Sequence, residues 1–364
     1  TSSYYMSKLP DWVDNFNKLE LPGKYLSQEW KTFFPIEQYT ESSVDDSPYE
    51  TKIAGKERPT FPYNLPELRK KNGGFDLLSS TPFANDLLTD MAKATIKGEQ
   101  MGKNTTTDFL TVSFSATDII GHAMGPNAVE IEDTYIRLDR NIEDFLNYLD
   151  KEIGVGNYTV FLTADHAVAE VPQYLRDNRV PAGYFNADNM EIGLRDFLKP
   201  YFPDKNIIEN VSNFQIFLNQ EVFTGSPKSS GVDLLIVSEL IATYLIQQDG
   251  VASVFTENVL RQANYAEEGI RGMVIRGYNP KRSGDIAYVL QPGWMEWGKV
   301  QGSTHGSPYT YDTHVPMLFY GFGVKQGTTS AYHPITDIAP TLAVLLKIKY
   351  PNGCTGQPIS ELLK

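Results

Sequence analysis

The sequence predicts an α/β protein with a mostly parallel sheet flanked by helices, and with an inserted α+β subdomain. Apolar runs at 109–114 and 158–163 have the length expected of buried strands. Between them, apolar residues recur every three or four positions over 131–153, as in an amphipathic helix. A further apolar run at 315–320, followed by a helical pattern at 337–346, brings the sheet pattern back near the C-terminus. Strand, helix and strand in this order indicate a βαβ unit with parallel strands.

The part of the chain before the first strand has a different character. Its first 75 or so residues are rich in Tyr, Pro, Phe and Trp and show little periodicity, which predicts an irregular cap packed through aromatic side chains. A helix is then expected over 81–97, with Thr81 as N-cap and Pro82 at the first helical position. Between the two halves of the sheet, short helices are expected at 190–198 and 234–247. The predicted parts are a cap with its lead-in helix (1–106), an α/β core (107–174), an inserted α+β subdomain (175–300) and a return to the core (301–364).

Composition and charge narrow the class of protein. With 45 acidic and 32 basic residues in 364, the formal net charge is 32 − 45 = −13, while 41% hydrophobic residues are typical of a globular chain. This acidic excess argues against nucleic acid as a partner, but bound metal ions can still make a local site for a small phosphate compound. The single cysteine, Cys354, excludes an internal disulfide and a thiolate-rich metal site. No apolar run is long enough to span a bilayer, and the residues from Thr1 show no signal peptide.

Acidic and histidine side chains follow both strands of the predicted βαβ unit. Asp118 and His122 are four residues apart, so one helical turn would place both on the same face. Asp165 and His166 come directly after the second strand, and can converge only if that strand ends near residue 164. The alternatives are a solvated turn with a capping Asp in the first case and an ordinary acidic loop tip in the second. Because ligand sites lie at the carboxyl ends of parallel strands, the combination favours a metal site.

The remaining histidines lie in the last fifth of the chain. His305 stands in a loop between Gly302 and Gly306, where glycines allow a sharp turn. Asp118, His122 and His305 would form one carboxylate and imidazole set of the kind that zinc prefers, and Asp165 with His166 would supply only two ligands for a second ion. On chemistry alone His314 is another possible ligand, whereas His333 is expected at the surface or before a helix.

As a set, these motifs resemble the alkaline phosphatase superfamily, in the branch of bacterial alkaline phosphatases and type I phosphodiesterase/nucleotide pyrophosphatases. The resemblance rests on Asp118-x-x-x-His122, on Thr163-Ala164-Asp165-His166, and on Thr304-His305-Gly306 followed by Tyr311-Asp312-Thr313-His314-Val315-Pro316. The segment from Thr336 to Leu342 also matches, where the family begins a structural helix. The match extends over most of the chain and is dense after Asp108.

The resemblance implies a role for each matched residue. Asp118, His122 and His305 would hold a zinc ion that stabilises the leaving-group oxygen, and Asp165 and His166 would help to hold a second zinc that activates a Thr or Ser nucleophile. The full-length protein would then hydrolyse phosphate esters through a phospho-Thr or phospho-Ser intermediate, with two zinc ions as cofactors. His314 would either support the ligands from outside the coordination sphere or be structural, because the family's ligand is the His before Gly. A periplasmic or secreted location is also implied by the resemblance.

The sequence departs from the family on its N-terminal side. No apolar strand ending in Asp precedes Asp108, so the family's first metal-binding Asp and its nucleophile have no counterpart here. The turn at 59–62, which contains Thr60, is an alternative place for a nucleophile, but no strand leads into it. We therefore expect the nucleophile upstream of Thr1, in a missing N-terminal segment of the same protein, and we expect the isolated chain to be inactive.

Two other functions remain open at this stage. The chain could be a catalytically inactive metal-binding module, or it could come from a phosphodiesterase, sulfatase or mutase of the same superfamily. The expected partners are a small phosphate ester and the missing segment, with no nucleic acid and no membrane span.

Overall fold

A computed structural model describes residues 3–223, 232–262 and 264–363, so residues 224–231 and 263 of the predicted insertion lie outside the described residues. The fold is α/β, as the sequence predicts. Its helices, numbered within the described ranges, are α1 (Asp11–Asn17), α2 (Leu21–Tyr25), α3 (Leu65–Leu68), α4 (Phe83–Gly98), α5 (Ala116–Met124), α6 (Val129–Leu149), α7 (Pro172–Asp177), α8 (Ala187–Leu198), α9 (Leu234–Leu245), α10 (Glu257–Arg261), α11 (Gly269–Gly277), α12 (Thr310–Thr313) and α13 (Ile338–Leu346).

The strands pair in several small sheets. They are β1 (Glu29–Trp30), β2 (Tyr63–Asn64), β3 (Thr159–Thr163), β4 (Gly183–Phe185), β5 (Ile208–Ser212), β6 (Gln215–Leu218), β7 (Val251–Thr256), β8 (Ile286–Leu290), β9 (Trp294–Glu296) and β10 (Met317–Gly321). β4 and β9 run parallel, whereas β1 pairs with β2 and β3 with β10 in antiparallel fashion. A four-stranded antiparallel sheet has the order β5-β6-β8-β7. This sheet and α8 and α9 occupy the region in which an α+β insertion is predicted, although the division of the chain into domains stays a prediction.

The structure corrects the prediction of a strand at 109–114. These residues form no strand, and β3 pairs instead with β10, so the expected parallel pairing between 109–114 and 158–163 is absent from the described residues. The segment nevertheless lies beside β3, since the rings of Phe109 and Phe161 are 6.3 Å apart. A β-strand requires hydrogen bonds to a neighbouring strand. An apolar run favours an extended backbone, but it does not specify which segment will pair with it.

Most predicted helices are confirmed, with small changes at their ends. The helix predicted at 131–153 is α6, followed by a single π-helical turn at Asp150–Gly154. The helix predicted at 81–97 is α4, but Thr81 is not its N-cap. Instead, Pro82 is the N-cap and the Thr81 hydroxyl donates to the carbonyl of Leu78.

The aromatic cap shares a hydrophobic core with α5 and α6. Trp30 and Tyr63 are fully buried and stack with ring centroids 5.1 Å apart. They pack in one cluster with Ile120 of α5 and Ile131 of α6. The short helices α1 to α3 and the two-residue strands therefore gain their order from burial against α5 and α6 and not from local periodicity.

One buried carboxylate joins the cap to α6. Asp133 is fully buried and accepts hydrogen bonds from Trp30 Nε1 at 2.7 Å and from the backbone N–H of Phe33 at 2.6 Å. It also accepts from the Tyr39 hydroxyl at 2.5 Å and from Arg137 Nε at 2.7 Å. The face of α6 that is buried is thus partly polar, whereas Tyr135, expected on the apolar stripe, is 58% exposed.

A pair of buried acidic residues lies where the cap meets the start of α6. Glu50 is 4% exposed and neither of its carboxylate oxygens has a hydrogen-bond partner among the described residues. Glu130 is fully buried and accepts from the Tyr63 hydroxyl. Burial, reinforced by the nearby Glu130, raises the pKa of Glu50 to about 9, and burial raises the pKa of Glu130 to about 7.

These two carboxyls make the stability of the fold pH-dependent. Their ordinary pKa is 4.5, so the folded chain retains protons that the unfolded chain has lost, and stability falls as the pH rises from about 5 towards 9. We expect Glu50→Gln to flatten this decline and to be more stable than wild type at pH 9 by at least about 1–2 kcal/mol. Denaturant unfolding at pH 6 and pH 9 measures the effect, with the exposed Glu209→Gln as control. Equal pH profiles for wild type and Glu50→Gln would contradict the assignment.

Candidate metal centre

The first two candidate ligands lie on one helix, as the four-residue spacing predicts. Asp118 is in the first turn of α5 and His122 is in its last turn. His122 Nε2 lies 3.3 Å from Asp118 Oδ1. The helix ends just beyond His122, because Gly125 takes a positive φ of 82° that few other residues adopt.

The second pair follows β3, which ends at Thr163 as the convergence of Asp165 and His166 requires. The imidazole of His166 turns inwards, and its Nε2 lies 3.8 Å from Asp118 Oδ1. The side chain of Asp165 is 91% exposed, and its Oδ2 lies 3.8 Å from His166 Nε2. The end of the strand therefore directs one member of this pair into the site and leaves the other at its edge.

His305 enters from a loop that is held against α5. Gly302, at φ 75°, lies so close to the carbonyl oxygen of His122 that a Cβ there would approach it to 2.2 Å. The next residue, Ser303, is fully buried, and its backbone N–H donates to the same carbonyl at 3.2 Å. This contact places His305 Nε2 3.7 Å from Asp118 Oδ1. Only glycine allows so close an approach at position 302.

The structure brings three of the predicted residues into one compact group. One ligand atom each of Asp118, His166 and His305 lies within 4.8 Å of the others. His122 adjoins the group through its 3.3 Å contact with the same Oδ1 of Asp118. The group thus takes members from both predicted ligand sets, and the assignment of the five residues to two ions stays a prediction.

Backbone carbonyls orient two of the imidazoles. His122 Nδ1 lies 2.9 Å from the carbonyl oxygen of Ser303, and His166 Nδ1 lies 2.8 Å from that of Ala167. A carbonyl only accepts, so both Nδ1 atoms donate, and in the neutral form of each ring the lone pair is then on Nε2. The free Nε2 atoms are the ones that face Asp118. Metal-binding histidines are oriented in this way, by a hydrogen bond from the other ring nitrogen.

The third imidazole is packed against its neighbours. The His305 ring stacks on that of His166 with centroids 3.3 Å apart. Burial, and then the proximity of His166, lower the pKa of His305 below its ordinary value, so its neutral form is favoured. Neutral imidazole is the form that binds a metal ion.

Other candidate residues lie outside this group. His314 is exposed at the end of α12, and its backbone N–H donates to the carbonyl of Thr310. His333 Nδ1 contacts Asp337 at 3.3 Å before the last helix, which is consistent with the expected place before a helix. The carbonyl of Thr60 accepts from Lys56 in the cap. None of the three belongs to the group of ligand atoms found among the described residues.

Sequence reasoning assigned no role to two neighbours of the site. The ring of Trp297 stacks on His122 at 5.8 Å and 17°, which covers one side of that imidazole. Asp312 is 4% exposed and its Oδ2 accepts from the backbone N–H of Ser307 at 2.7 Å, which fixes the loop after His305. Asp312 could have been found from the sequence, because it lies in the matched motif around His314. No local pattern in the sequence marks Trp297.

The chemistry of this donor set suits a divalent metal ion. It combines a carboxylate oxygen with imidazole nitrogens that lie within 4.8 Å of one another, and the group contains no thiolate. Zinc takes such nitrogen and oxygen ligands in tetrahedral sets.

No helix in the described ranges is both long and apolar enough to cross a membrane.

Comparisons with known proteins identify the family of this chain. The family model "Type I phosphodiesterase / nucleotide pyrophosphatase" matches residues 15–312. The alkaline phosphatase PafA of Elizabethkingia meningoseptica is 40% identical over 365 residues, which is all of this chain and 65% of that protein. A protein of Myroides odoratus named calcium-transporting ATPase is 43% identical over 367 residues, again all of this chain and 66% of that protein.

A solved structure extends the comparison to the fold. The crystal structure of wild-type alkaline phosphatase PafA superposes with a TM-score of 0.92 at 40% identity, covering 100% of this chain and 68% of that one. The chain spans just under two thirds of the length of the two relatives above. From its match over most of its length, the chain belongs to the type I phosphodiesterase/nucleotide pyrophosphatase family, within the alkaline phosphatase superfamily.

Proposed function

We propose that this chain carries most of the zinc ligands of an enzyme that hydrolyses phosphate esters. The observation that carries the proposal is the group of Asp118, His166 and His305, whose ligand atoms lie within 4.8 Å of one another. Names of relatives support the reaction class, because PafA is named an alkaline phosphatase. Release to the periplasm or the exterior is the location we expect from the resemblance.

The residues of the chain divide this work. Asp118, His122 and His305 would bind one zinc ion. Asp165 and His166 would supply two of the ligands of a second zinc ion. Zinc in such a site supplies a Lewis acid that neutralises charge developing on phosphoryl oxygens. The carbonyls of Ser303 and Ala167 hold the imidazoles in the binding tautomer. Trp297, stacked on His122, shields that side of the site from water.

We propose that the nucleophile, a Thr or Ser, lies outside these 364 residues. Asp165 and His166 would supply only two ligands for the second zinc ion. Among the described residues, no other group of acidic or histidine side chains lies around them, so the remaining ligands must come from elsewhere. The sheet of β3 and β10 also exposes large apolar side chains, Leu318 at 59% and Tyr320 at 53%, as a surface on which another segment could pack. The catalytic residues of the whole protein would then be completed by that segment.

Zinc uptake by the purified 364-residue chain tests the metal site without relying on activity. We expect tight binding of about one zinc per chain, and at least about tenfold weaker binding for His305→Ala, which loses a direct ligand. His314→Ala is the matched control, because this histidine is exposed and lies outside the group, and its affinity is expected to be unchanged. Metal analysis after dialysis and competition with a chromogenic chelator measure the affinities. No retained zinc, or no loss on His305→Ala, would reject the proposal.

The same preparations test the place of the nucleophile. The zinc-loaded chain is expected to hydrolyse 4-nitrophenyl phosphate negligibly, because the nucleophile is proposed to lie outside these 364 residues. Robust zinc-dependent turnover that is lost in His305→Ala would show that the nucleophile lies within these residues.

A further inference from the structure

A cavity of about 480 Å³ adjoins the candidate metal centre on the side of His305. It lies between the loop around His305 and the four-stranded sheet of the insertion. Its lining includes aromatic and sulfur-containing side chains, among them Phe214, Met273, Tyr288 and Trp294. Both the size and the apolar lining are typical of pockets for small organic molecules.

A strained backbone holds one aromatic ring in the wall of this cavity. Asn213 and Phe214 form the turn between β5 and β6, and both have a positive φ, 51° and 59°. This turn geometry favours Asn followed by Gly, and an aromatic residue at the second position costs about 1–2 kcal/mol. Strain of this kind is found mainly where the residue has a function.

The ring of Phe214 connects the cavity to the metal ligands. It packs edge-to-face on Tyr288, with centroids 5.8 Å apart at 87°. Its Cε2 lies 3.4 Å from the position that a Cβ on Gly306 would occupy, and Gly306 follows His305 directly. An organic group in contact with Phe214 would therefore lie next to the loop that carries His305.

A buried hydroxyl lies behind the aromatic wall of the cavity. Tyr288 is 2% exposed, and its hydroxyl has no hydrogen-bond partner among the described residues. Buried hydroxyls are usually paired, so this one is an unsatisfied group beneath the aromatic wall, and the wall itself offers a bound molecule its ring surfaces.

We propose that this cavity binds the organic part of the phosphate ester, and that it selects aromatic or other large apolar groups. The inference rests on the proposed function for the phosphoryl part of the ester, which would lie at Asp118 and His305. With the phosphoryl group there, a substituent on the ester oxygen would have this cavity beside it, with Phe214 and Trp294 in the wall. The rings then stabilise that substituent by removing its apolar surface from water and by aromatic contacts.

Binding of 2-naphthol to the zinc-free 364-residue chain tests the cavity by itself. Calorimetric titration is expected to show saturable binding to wild type and at least about tenfold weaker binding to Phe214→Gly, which removes the ring contact. Glycine adopts the positive φ without strain, which offsets part of the packing lost with the ring, so this variant is expected to fold, and its thermal unfolding midpoint checks that it does. Phe109→Ala, which removes a ring from a surface outside the cavity, is the control and should bind 2-naphthol as wild type does.

Met273→Ala is a second lining variant and should also weaken binding, which keeps the test decisive if Phe214→Gly does not fold. Absence of 2-naphthol binding to wild type, or binding that neither lining variant weakens, would overturn the proposal. Zinc uptake separates this failure from failure of the proposed function. A chain that binds zinc but not 2-naphthol contradicts the cavity alone, and a chain that binds 2-naphthol through Phe214 but not zinc contradicts only the phosphate-ester assignment.

Discussion

Asp118→Asn is expected to remove most of the stabilisation of this chain by zinc. Asp118 Oδ1 is the atom that all three imidazoles face, at 3.3 Å from His122, 3.8 Å from His166 and 3.7 Å from His305. Asparagine keeps the shape but removes the negative charge that a cation among these rings requires. At a zinc concentration of about 100 Kd, wild type should gain about 2.7 kcal/mol in unfolding free energy. A hundredfold loss of affinity would leave about 0.4 kcal/mol of this gain.

Denaturant unfolding with zinc and with chelator measures this difference. Asp165→Asn is the informative companion, because this carboxylate is 91% exposed and lies at the edge of the site. It should retain most of the stabilisation. If Asp118→Asn keeps the full zinc effect, the carboxylate does not bind the ion and the site must be reassigned.

Asp133→Ala is expected to destabilise the fold by about 3–5 kcal/mol. The carboxylate is fully buried and accepts from Trp30, Tyr39 and the backbone of Phe33 in the cap, as well as from Arg137 on its own helix. Removing it leaves a charged guanidinium and several buried donors without their acceptor, and such a loss costs far more than an exposed ion pair. The cap should therefore loosen from α6.

Thermal and denaturant unfolding in the absence of zinc measure the effect. Asp139→Ala is the matched control, because Asp139 is exposed on the same helix. We expect this control to stay within about 0.5 kcal/mol of wild type. A similar result for Asp133→Ala would show that the cap is held by its apolar contacts alone.

The sequence predicted the helices well because their signal is local. The apolar repeat over 131–153 gave α6, and the four-residue spacing of Asp118 and His122 placed both on α5. The same reasoning failed at 109–114, where the composition is that of a strand but no described neighbour supplies the ladder hydrogen bonds. It also missed the polar contacts of Asp133, because the helical pattern marked only apolar positions as buried.

The candidate ligands could be named from sequence, whereas their grouping could not. The residue types indicated a metal site, and so did their positions. Asp118 and His166 follow predicted strands, and His305 lies in a loop between two glycines. Their ligand atoms meet only because the loop at Gly302 packs on the His122 carbonyl, a contact between residues 180 positions apart. The inward turn of His166 and the exposure of Asp165 likewise depend on where β3 ends against β10.

The amino-acid sequence by itself determined the class of fold, the helices with a clear repeat and the kinds of side chain available to bind a metal, since these follow from composition and near-neighbour spacing. The tertiary structure alone decided which imidazoles face Asp118, which carboxylates are buried and where the aromatic cavity lies. The physical reason is that desolvation, close backbone approach and ladder pairing depend on partners distant in the chain, and no local pattern records them.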